Sequence, residues 1–120
     1  MYDHIGLRVK NLDASVRFYE RALAPLQHVL VSREESYAGF GPPGAAALWL
    51  YPHAGRVSGD THVAFTAKTR AAVDKFHAGG LKSGGRDNGA PGVRADYGPK
   101  YYAAFLTDPD GNNVEAVCME

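Results

Sequence analysis

One internal repeat constrains this chain more than any other feature. His4-Ile5-Gly6-Leu7-Arg8-Val9 and His62-Val63-Ala64-Phe65-Thr66-Ala67 both alternate apolar with small or polar side chains, the pattern of a half-buried strand. They lie 58 positions apart, and the same step carries Phe18 onto Phe76. Each run is followed by a polar break and a helical pattern that contains that phenylalanine. A chain that repeats strand, break and helix in register is expected to fold as two copies of one module.

The first helix is expected after Asn11-Leu12-Asp13, with Asn11 or Asp13 as its cap. Leu12, Val16, Tyr19, Ala22 and Leu23 fall on one apolar face, and Pro25 ends it. The second starts near Thr69, buries Ala72, Val73 and Phe76, and is expected to stop at Gly79-Gly80. Strand-like runs come after each helix: Leu26 to Ser32, Glu35 to Phe40 and Ala46 to Tyr51 in the first half. In the second half, Ser83 to Pro99 reads as a broken strand and a loop, followed by strands over Tyr101 to Thr107 and Asn113 to Met119. Gly41 to Gly44 and Asp108 to Asn112 supply turns. The expectation is an α+β fold of two βαβββ modules, about 1–55 and about 58–120, in one domain spanning 1–120.

Charge is balanced, with 13 basic and 13 acidic residues, so no global field draws the chain to nucleic acid or a membrane. No apolar run approaches the roughly 20 residues of a membrane span. The single cysteine, Cys118, lies in an apolar run and reads as a small buried hydrophobe. A reducing, cytoplasmic setting is expected.

His4, His62 and Glu115 are ionisable residues inside apolar, strand-like runs. Such groups need partners, and one divalent cation would satisfy all three. Two imidazoles and a carboxylate suit iron, manganese, nickel, cobalt or zinc, and they leave coordination positions open. The alternative is two strand-start histidines bonded to backbone and a glutamate paired with Arg8. Arg8 shares a strand face with His4 and could hold a substrate carboxylate or phosphate. Trp49 and Tyr101 would line the same pocket, or pack in the core. Arg86 to Gly92 reads as a polar strand connection near the pocket mouth, without the lysine ending of a phosphate loop. His28, His53 and His77 have no repeat partner and are expected to be structural or solvated, His77 at the surface.

Several segments together carry a family resemblance. They are Asp3 to Val9, Ser15 to Tyr19, Thr61 to Phe65, and above all Asp108-Pro109-Asp110-Gly111-Asn112 with Glu115 beyond it. Through them the chain resembles, over its whole length, the vicinal oxygen chelate superfamily of glyoxalase I, fosfomycin-resistance transferases, extradiol dioxygenases and bleomycin-resistance proteins. The resemblance implies that each βαβββ module is half a barrel, with a ligand on the first and last strand of each. His4, His62 and Glu115 match three of those places. The fourth falls within Ala47 to Tyr51, most naturally at Trp49, which cannot ligate a metal.

The resemblance further implies a metal-dependent enzyme acting on a small molecule that chelates through adjacent oxygens, with Glu115, or a metal-bound hydroxide, as the catalytic base. A lyase or isomerase comes first, then a thiol transferase and an extradiol-type dioxygenase. The alternative is a non-catalytic sequestering protein of the bleomycin-resistance type, which Trp49 favours. A homodimer is also implied.

Overall fold

The computed structural model describes residues 1–120. Its elements are β1 (Ile5–Val9), α1 (Leu12–Leu23), β2 (Val29–Glu34), β3 (Tyr37–Gly41), β4 (Leu48–Pro52), β5 (His62–Thr66), α2 (Arg70–Leu81), β6 (Arg86–Val93), β7 (Tyr102–Thr107) and β8 (Asn113–Cys118). The helix bounds repeat with the strands: Leu12 and Leu23 correspond to Arg70 and Leu81, 58 positions on at both ends. The two four-stranded sheets have the same order, β1-β4-β3-β2 and β5-β8-β7-β6. In each, the first strand runs parallel to the last and the other pairs are antiparallel. These are the two βαβββ modules of an α+β fold, and the sheets do not close into a barrel.

Local chemistry explains the helix starts. Asn11 and Thr69 sit in extended backbone, and each side chain accepts a bond from the amide three residues on, at 3.0 Å. These bonds satisfy amides that have no partner in a helix's first turn. Pro25 stops α1 by diverting the chain into a single 3-10 turn, Ala24–Leu26. Phe18 and Phe76 are both fully buried, α1 lies against α2, and one apolar cluster takes residues from both halves.

Three expectations are corrected by packing. Helix α2 runs through Gly79-Gly80 to Leu81. A Cβ on Gly80 would lie 2.3 Å from Leu106 Cδ1 and 3.2 Å from Phe18 Cε1. The glycine is therefore there for close approach of α2 to β7 and α1, and the turn comes at Gly84, with φ of 98°. Arg86 to Gly92 is not a connection but most of β6, an edge strand paired with β7 through two register shifts. Its backbone ladder forms without an apolar pattern because only one edge of the strand is paired. His77 is buried at 9% exposure, with Nε2 2.8 Å from Asp87 Oδ1, and so ties α2 to β6.

The Asp108 to Asn112 turn joins the modules. Asp108 accepts from the hydroxyl of Tyr19 at 2.6 Å and from the Asp110 and Asn112 amides at 2.9 Å. Asn112, fully buried, donates to Asp108 and to the Ser58 carbonyl, and accepts from the Thr61 amide. The turn thus binds α1, the segment between the modules and the start of β5 in one hydrogen-bonded knot. No helix is long and apolar enough to cross a membrane.

Candidate functional site

Each sheet buries one face against the helices and leaves the other open. On β1, Leu7 and Val9 are buried while Gly6 and Arg8 are exposed. On β5, Val63 and Phe65 are half-buried while His62, Ala64 and Thr66 are exposed. His62 and Ala64 thus lie on the open side, and Ala64 is the register partner of Glu115.

The second sheet's open face carries a connected polar cluster. Glu115 is 2% exposed, with its two carboxylate oxygens engaged separately. Its Oε1 lies 3.1 Å from His62 Nε2, and its Oε2 accepts from the Tyr101 hydroxyl. His62 Nδ1 lies 3.1 Å from the Asn113 carbonyl oxygen. A carbonyl only accepts, so Nδ1 carries a proton there. In the neutral ring, Nε2 then presents a lone pair to a carboxylate oxygen, an arrangement that requires a cation between them, a proton or a metal.

Aromatic contacts fix this cluster. Phe105 stacks on the His62 ring, with centroids 6.4 Å apart and planes at 23°. The Arg94 guanidinium covers Phe105 at 5.3 Å and is held by the carbonyls of Ala90 and Gly92. Tyr97 meets Tyr101 edge-on at 5.2 Å.

The first sheet's open face is different. The register that sets Ala64 against Glu115 in the second sheet sets Gly6 against Trp49 in the first. Trp49 lies across Gly39, where a Cβ would come within 2.6 Å of Cζ3, and Tyr37 abuts it at 70°. His4 is exposed at the head of β1, its Nδ1 2.6 Å from Asp3 Oδ1. Arg8 forms no ion pair with Glu115 or any other acid.

The structure therefore brings together His62, Glu115 and Tyr101 and leaves His4, Arg8 and Trp49 on the other sheet. The expected convergence of His4 on the same pocket does not occur within one chain, where no group of three or more His, Cys, Asp or Glu side chains could hold an ion. The two histidines sit on separate sheets with no strand ladder between them. Sequence patterns missed Arg94 and Asn113. Arg94 reaches the site only through the turn after β6, and Asn113 acts through its backbone, so neither left a pattern. Phe105 falls inside the strand read over Tyr101 to Thr107 and is the register partner of Glu115.

Three of the seven tyrosines are expected to titrate late. Burial, the hydrogen bond to Glu115 and that carboxylate's charge push the Tyr101 hydroxyl up to about 12. Burial, with Asp108 beside it, raises Tyr19 well above the ordinary value. The hydrogen bond to Asp74 raises Tyr102. Because the folded value for Tyr101 exceeds the unfolded 10.0, its contribution to stability is intact below pH 10 and is lost as pH rises toward 12. In an ultraviolet absorbance titration, Tyr101→Phe should delete one late-ionising step. A Tyr101→Phe titration that keeps every late step would contradict the hydrogen bond to Glu115.

Comparison with known proteins agrees with this architecture. A glyoxalase/bleomycin resistance protein from Albidiferax ferrireducens T118 superposes with a TM-score of 0.87 at 26% identity, covering 100% of this chain and 99% of that one. A glyoxalase/bleomycin resistance protein/dioxygenase family enzyme from Burkholderia phytofirmans PsJN superposes at 0.77 with 19% identity and 98% of each chain covered. A glyoxalase I mutant from Zea mays matches at 0.70 and 21%, over 96% of this chain but 45% of that longer one. These last two likenesses are of fold alone. No curated protein matches the sequence. The profile of the Glyoxalase/Bleomycin resistance protein/Dioxygenase superfamily matches residues 2–116, and the chain belongs to that superfamily.

Proposed function

We propose that this chain is a metal-dependent enzyme acting on a small molecule with two adjacent oxygens. His62 and Glu115 of one chain and the partner subunit's His4 would hold the ion in a homodimer. The observation that carries this reading is the His62 ring. Its Nδ1 donates to the Asn113 carbonyl, which leaves Nε2 and Glu115 Oε1 facing each other at 3.1 Å, where a proton or a metal ion would join them. A metal-ligating histidine is commonly oriented in this way by an oxygen acceptor on its other nitrogen. His4 repeats the arrangement with Asp3.

Nitrogen and carboxylate donors suit iron, manganese, nickel, cobalt or zinc. Such an ion would polarise the two substrate oxygens as a Lewis acid. The protein's own part is positional and protonic. Phe105 fixes the plane of His62, and Tyr101 holds Glu115 Oε2. Glu115 would be the base that takes up a substrate proton, which suits a lyase or isomerase better than a transferase or a ring-cleaving dioxygenase. The buried, unpaired Cys118 suits a reducing compartment, and the cytoplasm is the proposed setting.

Elemental analysis of the protein as purified tests the reading. It should contain a stoichiometric divalent metal, and His62→Ala should lower metal affinity more than about 100-fold, beyond the loss typical of an outer-shell partner. A metal-free protein that takes up none on titration overturns it. Trp49, standing where the register would place a fourth ligand, favours a second reading, metal-free sequestration of a small molecule. In that case EDTA treatment would leave ligand affinity unchanged.

A further inference from the structure

We infer that the open face of the first sheet is a stacking platform for a planar aromatic anion, an aromatic carboxylate being the simplest case. The inference rests on the proposed reading of this chain as a small-molecule protein and adds, to the metal site of the second sheet, a binding face on the first.

Trp49, Tyr37 and Tyr51 line one shallow depression on this face. Their floor is backbone. The Trp49 ring occupies the space of a Gly39 side chain, and the Tyr51 ring comes within 2.9 Å of where a Gly6 Cβ would stand. Any side chain at either glycine would lift a ring off the sheet. The rings therefore lie low, with their outer surfaces available for stacking, and Tyr51 is 41% exposed. Offset stacking and edge contacts favour a flat aromatic partner over an aliphatic one of equal size.

Charge sets the polarity of that partner. Arg8 is the register partner of Tyr51, exposed and without an ion pair, at one end of the platform. Glu34 is the register partner of Tyr37, exposed, toward the other end. A guanidinium at one end and a carboxylate at the other orient a ring with its acid group toward Arg8, where bidentate pairing is available.

Trp49 is the only tryptophan, so its fluorescence reports on this face alone. The test uses EDTA-treated protein titrated with 4-nitrobenzoate, cyclohexanecarboxylate and nitrobenzene. The expected result is saturable quenching by 4-nitrobenzoate, with cyclohexanecarboxylate and nitrobenzene each about tenfold weaker when followed by calorimetry. Arg8→Gln should erase the preference for 4-nitrobenzoate over nitrobenzene. Trp49→Ala should weaken 4-nitrobenzoate about tenfold while leaving the fold intact by circular dichroism. Linear, non-saturating quenching overturns the inference, as does unchanged affinity in Arg8→Gln. Quenching that disappears as protein concentration rises would show a second copy covering the face, and also overturns it. Failure here with metal bound at His62 leaves the proposed function standing with a non-aromatic substrate. Success in a protein that never binds metal removes the proposed enzyme and keeps the platform.

Discussion

Subunit exchange between His4→Ala and His62→Ala chains is expected to restore metal binding that neither variant has alone. Within one chain the His4 side chain pairs with Asp3, and no third ligand joins His62 and Glu115. A site built from the second sheet of one subunit and the partner subunit's His4 would contain both imidazoles in only one of a heterodimer's two sites. Random exchange makes about half of the dimers heterodimeric, so about a quarter of the sites should return, by the symmetry of a two-fold pair. Elemental analysis after mixing, unfolding and refolding the two variants together measures this. No recovery, with each variant empty, would place both ligands on one chain. Full metal content in His4→Ala would remove His4 from the ligand set and leave two protein donors.

Asn112→Ala is expected to destabilise the fold by about 4 kcal/mol, because buried polar groups left unpaired cost roughly 1–3 kcal/mol each. The side chain is fully buried and makes three bonds: to the Ser58 carbonyl at 2.6 Å, to Asp108 Oδ2 at 2.9 Å, and from the Thr61 amide at 3.1 Å. Its removal takes one partner from each of these groups, the buried Asp108 among them. Asn113→Ala is the matched control, since that side chain makes one bond of 3.2 Å to the exposed Asn88. Its cost should stay below about 1 kcal/mol. Urea unfolding of the two variants gives the comparison, and equal midpoints would mean the turn does not join the modules energetically.

The same turn separates what a motif reveals from what it does. Asp108-Pro109-Asp110-Gly111-Asn112 reads as a hairpin link, and it is one, with Gly111 at φ of 96°. Its larger role involves Tyr19, 89 positions away, and Ser58, 54 away. Side chains that meet across such distances leave no local pattern. Tyr101 and Glu115 behave likewise: Tyr101 immediately precedes β7 and Glu115 lies on β8, and their hydrogen bond arises where the pairing of those strands brings the two together.

Gly79-Gly80 shows the converse. Glycine pairs usually stop helices, because an isolated helix gains nothing from a missing side chain. Here Leu106 and Phe18 press on the bare backbone, and tertiary packing outweighs propensity. His77 gives another instance. On the helix pattern alone it is polar and solvated, but β6 folds over it and Asp87 supplies its partner.

The sequence by itself determined the repeat and the local features that backbone chemistry sets near each residue. Those features include both helix caps, the proline stop, the paired phenylalanines and the strand-like run that holds Glu115. They depend on spacing of a few residues, which a linear pattern records. Only the tertiary structure decided that the repeated strands β1 and β5 lie in separate sheets, so that a symmetric repeat produced unlike open faces. One bears a carboxylate held by histidine and tyrosine, the other a tryptophan on a glycine floor. The reason is that identical backbone registers place position-equivalent residues alike, but what each residue does depends on neighbours brought in from other strands.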